Sequence, residues 1–204
     1  MKINKNKFIY LISPNKISNS FFNSLKLVLK TKKVSFFQLR LKSYSQNKKI
    51  IIGKKIKKIC KKNNVKFIIN DDPLLALKLD ADGCHLGQKD MNIKTAKKIL
   101  GKKIIGITCH NSMNLAKKAI KAKADYIAFG AFNQSKTKKT KYVASVKILN
   151  KFKKYSKTPT IAIGGINAVN YKNLLLNNAN FLAISGYIWK NKKYKPLQAV
   201  KRLK

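Results

Sequence analysis

Short apolar runs with strand-like composition alternate with lysine-rich amphipathic segments along the whole chain. Such alternation is typical of βαβ units, in which helices join parallel strands. Eight strands are predicted, at residues 8–13, 35–41, 66–70, 83–87, 103–109, 126–132, 160–165 and 181–188. Helices are predicted between them at 20–31, 46–63, 73–80, 92–100, 112–123, 144–156 and 169–178, and a last one near 196–203.

Eight uninterrupted βα units predict an α/β fold, a single (β/α)8 TIM barrel over residues 1–204. The length is at the short end of the usual range of ~200 to 400 residues for such barrels. An open doubly wound sheet is the competing topology. The barrel is favoured because no second domain interrupts the repeats and no GxGxxG motif follows the first strand.

The chain is strongly basic, with 47 Lys and Arg against 6 Asp and Glu and a formal net charge of +41. A basic surface attracts nucleic acid, but these lysines are spread over helical segments without a basic tail, zinc-finger spacing or aromatic RNA-binding signature. We therefore expect small-molecule substrates and no dedicated nucleic-acid partner. No apolar run suits a membrane span or a secretory signal, so we expect a cytoplasmic protein without a membrane partner. The three cysteines have no CxxC spacing and are predicted to be buried thiols.

Five of the six acidic residues lie between positions 71 and 90. Asp71 ends the third predicted strand and Asp90 follows the fourth, so the two carboxylates could approach one ion from neighbouring strands about 4.8 Å apart. Oxygen ligands without a His or Cys cluster indicate a hard cation, and Mg²⁺ is the expected metal. The alternative for Asp71, Asp72 and Asp90 is helix capping.

The remaining acidic residues, Asp80, Asp82 and Asp125, precede strands and belong to the opposite end of the barrel. Turn and capping roles are predicted for them.

A row of polar residues is predicted on the second strand, where Gln38, Arg40 and Lys42 alternate with leucines and so point to one side. Arg40 is one of only two arginines, and its planar fork of donors suits phosphate in a way that an ammonium does not.

Further anion-binding groups follow the later strands. Thr108 ends the fifth strand, and the segment 134–138 adds hydroxyls and lysines after the sixth. Small residues then close the seventh strand at 164–165 and lie within the eighth at 185–186. Small residues at these two strand ends form the usual phosphate cradle of such barrels. The sequence thus predicts a site for two anionic groups.

Ordered motifs over nearly the whole chain identify a resemblance. The chain resembles the thiamine phosphate synthase family, also called thiamine-phosphate pyrophosphorylases. The motifs are YLISP (10–14), QLRLK (38–42), IIND (68–71), DGCHLGQKDM (82–91), IIGITCH (104–110), ADYIAFGAF (124–132), TKK (137–139), AIGGI (162–166) and AISGYIW (183–189).

The resemblance implies a Mg²⁺-dependent TIM-barrel transferase. It would join 4-amino-5-hydroxymethyl-2-methylpyrimidine diphosphate to 4-methyl-5-(2-hydroxyethyl)thiazole phosphate and release pyrophosphate. By resemblance, Asp71 and Asp90 bind Mg²⁺. The residues implied for the pyrimidine diphosphate are Gln38, Arg40, Lys42, Asn70, Thr108 and Lys138, among which Arg40, Lys42, Thr108 and Lys138 are the expected catalytic residues. Those implied for the thiazole phosphate are Ser135, Thr137, Gly165, Ile184 and Ser185.

The residues agree with the implied chemistry, because cations and metal around a diphosphate without an obvious nucleophile or base favour dissociative loss of pyrophosphate. His110 also fits the related thiazole tautomerase, which typically lacks the paired Asp motifs seen here. His85 is interpreted as a packed structural residue. The synthase, the tautomerase and a basic nucleic-acid-binding barrel are therefore the three hypotheses, and Arg40, Asp71 and Asp90 favour the first.

Overall fold

Eight parallel strands close into a barrel in which each strand pairs with the next along the chain and β1 pairs with β8. The structure, a computed structural model, describes residues 6–133 and 142–204. The TIM barrel is confirmed, and the open doubly wound sheet is wrong. The strands are β1 Ile9–Ile12, β2 Val34–Leu39, β3 Lys66–Asn70, β4 Gly83–Leu86, β5 Ile104–Thr108, β6 Tyr126–Gly130, β7 Thr160–Ile163 and β8 Phe181–Ile184.

Helices surround this barrel and confirm the predicted alternation. They are α1 Phe21–Lys30, α2 Gln46–Lys62, α3 Pro73–Lys78, α4 Ile93–Leu100, α5 Met113–Lys121, α6 Val146–Tyr155, α7 Tyr171–Leu176, α8 Gly186–Trp189 and α9 Pro196–Lys201. Within the two described ranges, no helix is long and apolar enough to cross a membrane.

The core has two layers, because both faces of each strand are covered. Alternate side chains point into the barrel, as Phe36 does, or toward the helices, as Phe37 does. Burial on both sides explains why the strands are nearly continuous apolar runs in the sequence. Cys60, Cys84 and Cys109 are buried free thiols in the outer layer, as predicted.

Aspartates at the N-terminal end of the barrel join adjacent strands, so their role is structural as expected but is not the predicted turn or cap. The Asp82 carboxylate accepts the Phe67 N–H at 2.9 Å, and the Asp125 carboxylate accepts the Ile105 N–H at 2.8 Å. Lysines neutralise both groups, since Lys66 lies 2.8 Å from Asp82 and Lys97 lies 2.7 Å from Asp125. Each aspartate therefore joins its own strand to the preceding one.

Asp80 at the same end differs, since it is largely exposed and pairs only with side chains. Lys57 and Lys103 each lie 2.7 Å from its carboxylate. These hydrogen bonds, Lys103 first, lower the pKa of Asp80 to about 2.

Several predicted strands extend too far, and the second and the eighth matter most for the site. The second ends at Leu39, so Arg40 and Lys42 lie in the loop that follows. The eighth ends at Ile184, and the residues predicted to continue it form α8 instead. The apolar run crosses this boundary because Ile184 and Ile188 are both buried, the first in a strand and the second in a helix. Four helical residues are too few to show a helical period.

Candidate active site

The C-terminal strand ends gather the polar residues predicted to bind the anions. Gln38 is only 2% exposed, and its Nε2 donates no hydrogen bond to any described residue. Arg40 is half-buried and is positioned by its backbone, whose N–H donates to Ser13 Oγ at 2.9 Å. Its Nη1 makes a longer contact of 3.4 Å with Asn15 Oδ1. The amide of Gln38 thus remains able to donate to a ligand.

Asp71 projects from the end of β3 beside Lys42, whose Nζ lies 3.0 Å from Asp71 Oδ2. The Asp71 backbone has a φ of +65°, a left-handed conformation that is uncommon outside glycine but better tolerated by Asp and Asn. Its N–H still donates to His85 O at 2.8 Å, so the chain turns at this residue without losing its pairing to β4. Asn70, half-buried, pairs in register with His85 one residue earlier.

Asp90 lies after β4 in a turn that its own carboxylate closes, because Oδ2 accepts the Gly87 N–H at 2.7 Å. Burial raises the pKa of the Asp90 carboxyl, and hydrogen-bonding contact and repulsion from Asp71 raise it further. The Gly87 N–H and the charge of Lys42 act in the opposite direction. Two carboxylates in contact repel each other, so this arrangement favours a cation between them.

Helix capping explains Asp72 but not Asp71 or Asp90. The Asp72 carboxylate accepts the Leu75 N–H at 2.9 Å at the start of α3 and also accepts from Gln46 Nε2 at 2.8 Å. Helix α4 is capped by Asn92 rather than Asp90. The capping alternative is therefore correct for Asp72 and wrong for Asp90, while Asp71 lies before the capping residue.

A cavity of about 220 Å³ opens at this end of the barrel, between β2, β3 and α3. Lys42, Lys49, Asn70 and Asp71 contribute its polar lining, and leucines and Ile69 its apolar walls. A cavity with an apolar body and a few convergent charged groups is the usual form of a small-molecule site.

Thr108 ends β5 with its hydroxyl held by His85, whose Nε2 lies 2.8 Å from Thr108 Oγ1. The other ring nitrogen, Nδ1, lies 2.9 Å from the Tyr126 hydroxyl. Burial lowers the pKa of His85 to about 4, so the imidazole is neutral near pH 7. The prediction that His85 is a packed residue is confirmed. Gln88 Nε2 donates to Thr108 O at 2.6 Å and holds the backbone of the same residue.

The β7 end forms a glycine turn suited to an anion. Gly164 and Gly165 have φ values of +108° and +57°, and a Cβ at position 164 would lie 2.4 Å from the Ala131 Cβ. Asn170 Nδ2 donates to Gly165 O at 3.0 Å and holds the turn. Backbone N–H groups in such turns bind anions.

Ser185 follows β8, and its hydroxyl donates to Ser13 O at 3.1 Å. The Ile184 side chain is buried in the outer layer, so only its backbone can face a ligand at the strand end. The predicted site residues Ser135, Thr137 and Lys138 lie outside the described residues.

Sequence reasoning missed Ser13, which joins three of these strand ends. Its N–H donates to Gln38 O at 2.9 Å, its hydroxyl bridges the Arg40 backbone, and its carbonyl accepts from Ser185. The only sequence signal was a small hydroxyl residue at the end of the first predicted strand. The predicted barrel places β1 between β2 and β8, but the sequence does not show that Ser13 contacts both neighbours.

Comparison with known proteins gives consistent relatives. The family model described as thiamine monophosphate synthase matches residues 9–188. The thiamine-phosphate synthase of Pelagibacter ubique is 67% identical over 204 residues, covering 100% of this chain and 98% of its own. That of Erythrobacter litoralis is 38% identical, covering 94% and 92%. The solved thiamine phosphate pyrophosphorylase of Pyrococcus furiosus superposes with a TM-score of 0.86 at 27% identity, covering 98% and 94%.

Proposed function

The chain belongs to the thiamine monophosphate synthase family, and we propose that the C-terminal end of its barrel carries out the family's reaction with the residue roles given below. The protein is a transferase with thiamine phosphate synthase function. It condenses 4-amino-5-hydroxymethyl-2-methylpyrimidine diphosphate with 4-methyl-5-(2-hydroxyethyl)thiazole phosphate, giving thiamine phosphate and pyrophosphate.

Asp71 and Asp90 would hold Mg²⁺. Their contact fits this role, because two adjacent carboxylates supply hard oxygen ligands and become less repulsive around a cation. Among the described residues no three His, Cys, Asp or Glu side chains form a metal cluster. Two protein carboxylates, with substrate phosphate oxygens completing the shell, are a common arrangement for Mg²⁺. When bound, the metal would supply positive charge to the leaving pyrophosphate.

The pyrimidine diphosphate would bind along the ends of β2, β3 and β5. Arg40 offers a planar fork to phosphate, and Lys42 a second positive charge beside Asp71. Gln38 lies at the buried end of this row, and its amide donor has no partner among the described residues, so it can orient an uncharged polar group. Asn70, Thr108 and Lys138 complete the proposed set.

The thiazole phosphate would bind at the ends of β7 and β8. Gly165 lies in the left-handed turn held by Asn170, and Ser185 begins the segment before α8. A short helix after β8 beside a glycine turn after β7 is the usual phosphate site of this fold. Ile184, through its backbone, and Ser135 and Thr137 complete this second set.

The chemistry asked of these residues is positioning and charge stabilisation. Arg40, Lys42 and Lys138 would stabilise the negative charge that develops as pyrophosphate leaves, while Thr108 donates a hydrogen bond. The pyrimidine methylene becomes cationic as its bond to oxygen breaks. The thiazole nitrogen, held close by its anchored phosphate, then attacks that carbon.

One observation carries the proposed metal-dependent site: Asp71 and Asp90 come from different strand ends and meet beside Lys42. The test is pyrophosphate release by the purified protein given both substrates, with Mg²⁺ and then with excess EDTA. We expect release that needs the thiazole phosphate and stops with EDTA. Release that persists in EDTA would remove the metal role of Asp71 and Asp90. No release from folded protein would contradict the residue roles as a whole.

We further propose that the chain acts as one catalytic domain on small-molecule substrates and without a nucleic-acid partner. Continuous hydrogen bonding around the barrel supports a single domain. Lysines pair with Asp80, Asp82 and Asp125 at the N-terminal end, which supports a structural role for part of the positive charge. The cytoplasmic location stays a prediction.

A further inference from the structure

A chain of hydrogen bonds runs through the barrel interior to the proposed active site. Tyr10 OH lies 2.8 Å from Tyr126 OH, Tyr126 OH lies 2.9 Å from His85 Nδ1, and His85 Nε2 lies 2.8 Å from Thr108 Oγ1. We call these four residues the interior hydrogen-bond chain. Tyr10 and Tyr126 are 2% and 0% exposed, while Thr108 is half-buried at the C-terminal end.

His85 gives the chain two polarities, one for each tautomer, if all three hydrogen bonds are made. Burial raises the pKa of both phenols and lowers that of His85, so each tyrosine keeps its proton and the imidazole carries one. Three hydroxyl protons and one imidazole proton are four donors for three hydrogen bonds. One donor is left over, and the tautomer of His85 decides whether it lies inside the barrel or at the mouth.

The two polarities leave this donor in very different places. If Thr108 donates to His85, then Nδ1–H donates to Tyr126. The two tyrosines then share one hydrogen bond between two O–H donors, so one of these O–H groups is left over inside the barrel. Tyr126 is the only hydrogen-bond partner of the Tyr10 hydroxyl among the described residues. If Tyr10 donates to Tyr126 and Tyr126 donates to His85 Nδ1, then Nε2–H donates to Thr108 and the Thr108 O–H is left at the open end.

Buried donors without partners are rare and destabilising, whereas a donor at the mouth can reach water or a ligand. The second polarity is therefore the stable one. We infer that Tyr126 is a positioning residue, which holds His85 as the Nε2–H tautomer and thereby commits the Thr108 hydroxyl to donate to an anionic ligand. This inference deepens the proposed function, on which it rests for the role of Thr108 in binding the diphosphate.

The position of Tyr126 is itself built into the sheet. Its register partner on β5 is Gly106, and a Cβ there would lie 1.9 Å from Tyr126 Cζ. The His85 and Tyr126 rings stack with an interplanar angle of 12° and a distance of 5.6 Å between the ring centroids. The tyrosine hydroxyl is thus fixed opposite Nδ1 by packing on two sides.

The direct test is the nitrogen NMR spectrum of histidine-labelled protein near pH 7, without substrates. The chain has two histidines, so a His110→Gln variant assigns the signals. We expect His85 Nε2 to be protonated and Nδ1 to be an unprotonated acceptor. A proton on Nδ1 would overturn the inferred polarity, and this result needs no assumption about catalysis.

Kinetics then test the consequence for the ligand. Tyr126→Phe should weaken the preference of His85 for the Nε2–H tautomer and raise KM for the pyrimidine diphosphate several-fold. The His85 Nδ1 signal should shift, because this nitrogen loses its hydrogen-bond donor. Tyr171→Phe is the matched control. It also removes a buried phenol hydroxyl, but this hydroxyl donates to Lys204 O and is not part of the interior hydrogen-bond chain. An unchanged KM in Tyr126→Phe, with the nitrogen signal shifted, would overturn the positioning role.

Thr108 variants separate this inference from the proposed function. Thr108→Val should raise KM about tenfold, since hydrogen bonds to charged groups are the stronger ones, and Thr108→Ser should restore it. If the tautomer is as inferred but Thr108→Val binds normally, the polarity stands and the diphosphate role of Thr108 is wrong. If Thr108→Val is impaired but Nδ1 carries the proton, the function stands and the inference fails.

Discussion

The two ends of the barrel use the same side chain for opposite purposes. At the N-terminal end, Asp82 and Asp125 each accept a strand N–H and pair with a lysine, so their charges are neutralised within the fold. At the C-terminal end, Asp71 and Asp90 meet each other, and the pKa of Asp90 is raised by burial and by Asp71. One end uses carboxylates to stabilise the sheet. At the other end the two carboxylates lie together beside Lys42, where we propose that they bind a metal ion.

The largest expected effect is at the C-terminal pair. In Asp90→Asn the amide oxygen can still accept the Gly87 N–H, so the turn should persist while one metal ligand is lost. Changes to residues that merely orient metal ligands already cost about 10–100-fold, so kcat/KM with Mg²⁺ should fall by more than about a hundredfold. Steady-state kinetics and thermal unfolding of the same samples measure both quantities.

Asp80→Asn is the matched control from the other end, because it removes one carboxylate charge outside the site. Its kcat/KM should equal that of the wild type. Near-normal turnover in Asp90→Asn would erase the functional distinction between the two ends.

Arg40→Lys should have the second largest effect. It keeps the charge but replaces a planar fork by a single ammonium, and we expect kcat/KM to fall about tenfold or more for the diphosphate substrate. Arg202→Lys is the control, since the other arginine of the chain follows α9 and lies over the Tyr194 ring at 4.6 Å. Equal kinetics for both variants would show that a charge alone suffices at position 40.

A stability effect should dominate at the N-terminal end. Asp125→Ala leaves the buried Ile105 N–H without its acceptor, which should lower the free energy of unfolding by roughly 1–3 kcal/mol. Asp125→Asn retains an acceptor and should recover most of that loss. Urea denaturation measures the change, and kcat/KM should stay at the wild-type value in both variants. A loss of turnover without a loss of stability would reverse the roles given to the two ends.

The smallest effect is expected for Asp80, whose side chain is 74% exposed. Its pKa is lowered to about 2 in the fold from 3.8, so its contribution is present above pH 3.8 and is lost as the pH falls toward 2. Exposed ion pairs are also screened by salt. The difference in urea midpoint between wild type and Asp80→Asn should be small at neutral pH and vanish at 1 M salt. A difference that survives high salt would mean that Asp80 acts like Asp125.

The sequence predicted the parts of the fold that repeat. Eight apolar runs and eight amphipathic segments were enough for the barrel, because each strand is buried on both faces and each helix on one. The ends of elements were less certain where apolar burial continues across a boundary, as between Ile184 and Ile188. The capping alternative for Asp90 is wrong, because Asn92 caps α4.

The site was predictable where the composition made a residue unusual. Arg40, Asp71 and Asp90 stand out in a lysine-rich chain, and the structure brings Asp71 and Asp90 together beside Lys42. The binding roles of all three residues stay predictions. Ser13 and Tyr126 could not be found in this way, since a serine after a strand and a tyrosine within one are common. Their roles depend on contacts over 27 and 41 positions, which only the closed barrel creates.

The close packing of Tyr126 over Gly106 also limits the order in which substitutions at these two positions can be accepted. A methyl group at position 106 would collide with the ring, and a smaller residue at position 126 would leave a void and an unpaired imidazole nitrogen. Each change is harmful alone, whereas a smaller residue at position 126 removes the collision with a methyl group at position 106 and lets that methyl group fill part of the void. Positions 106 and 126 should therefore show sign epistasis, with a fitness valley between the present pair and any alternative.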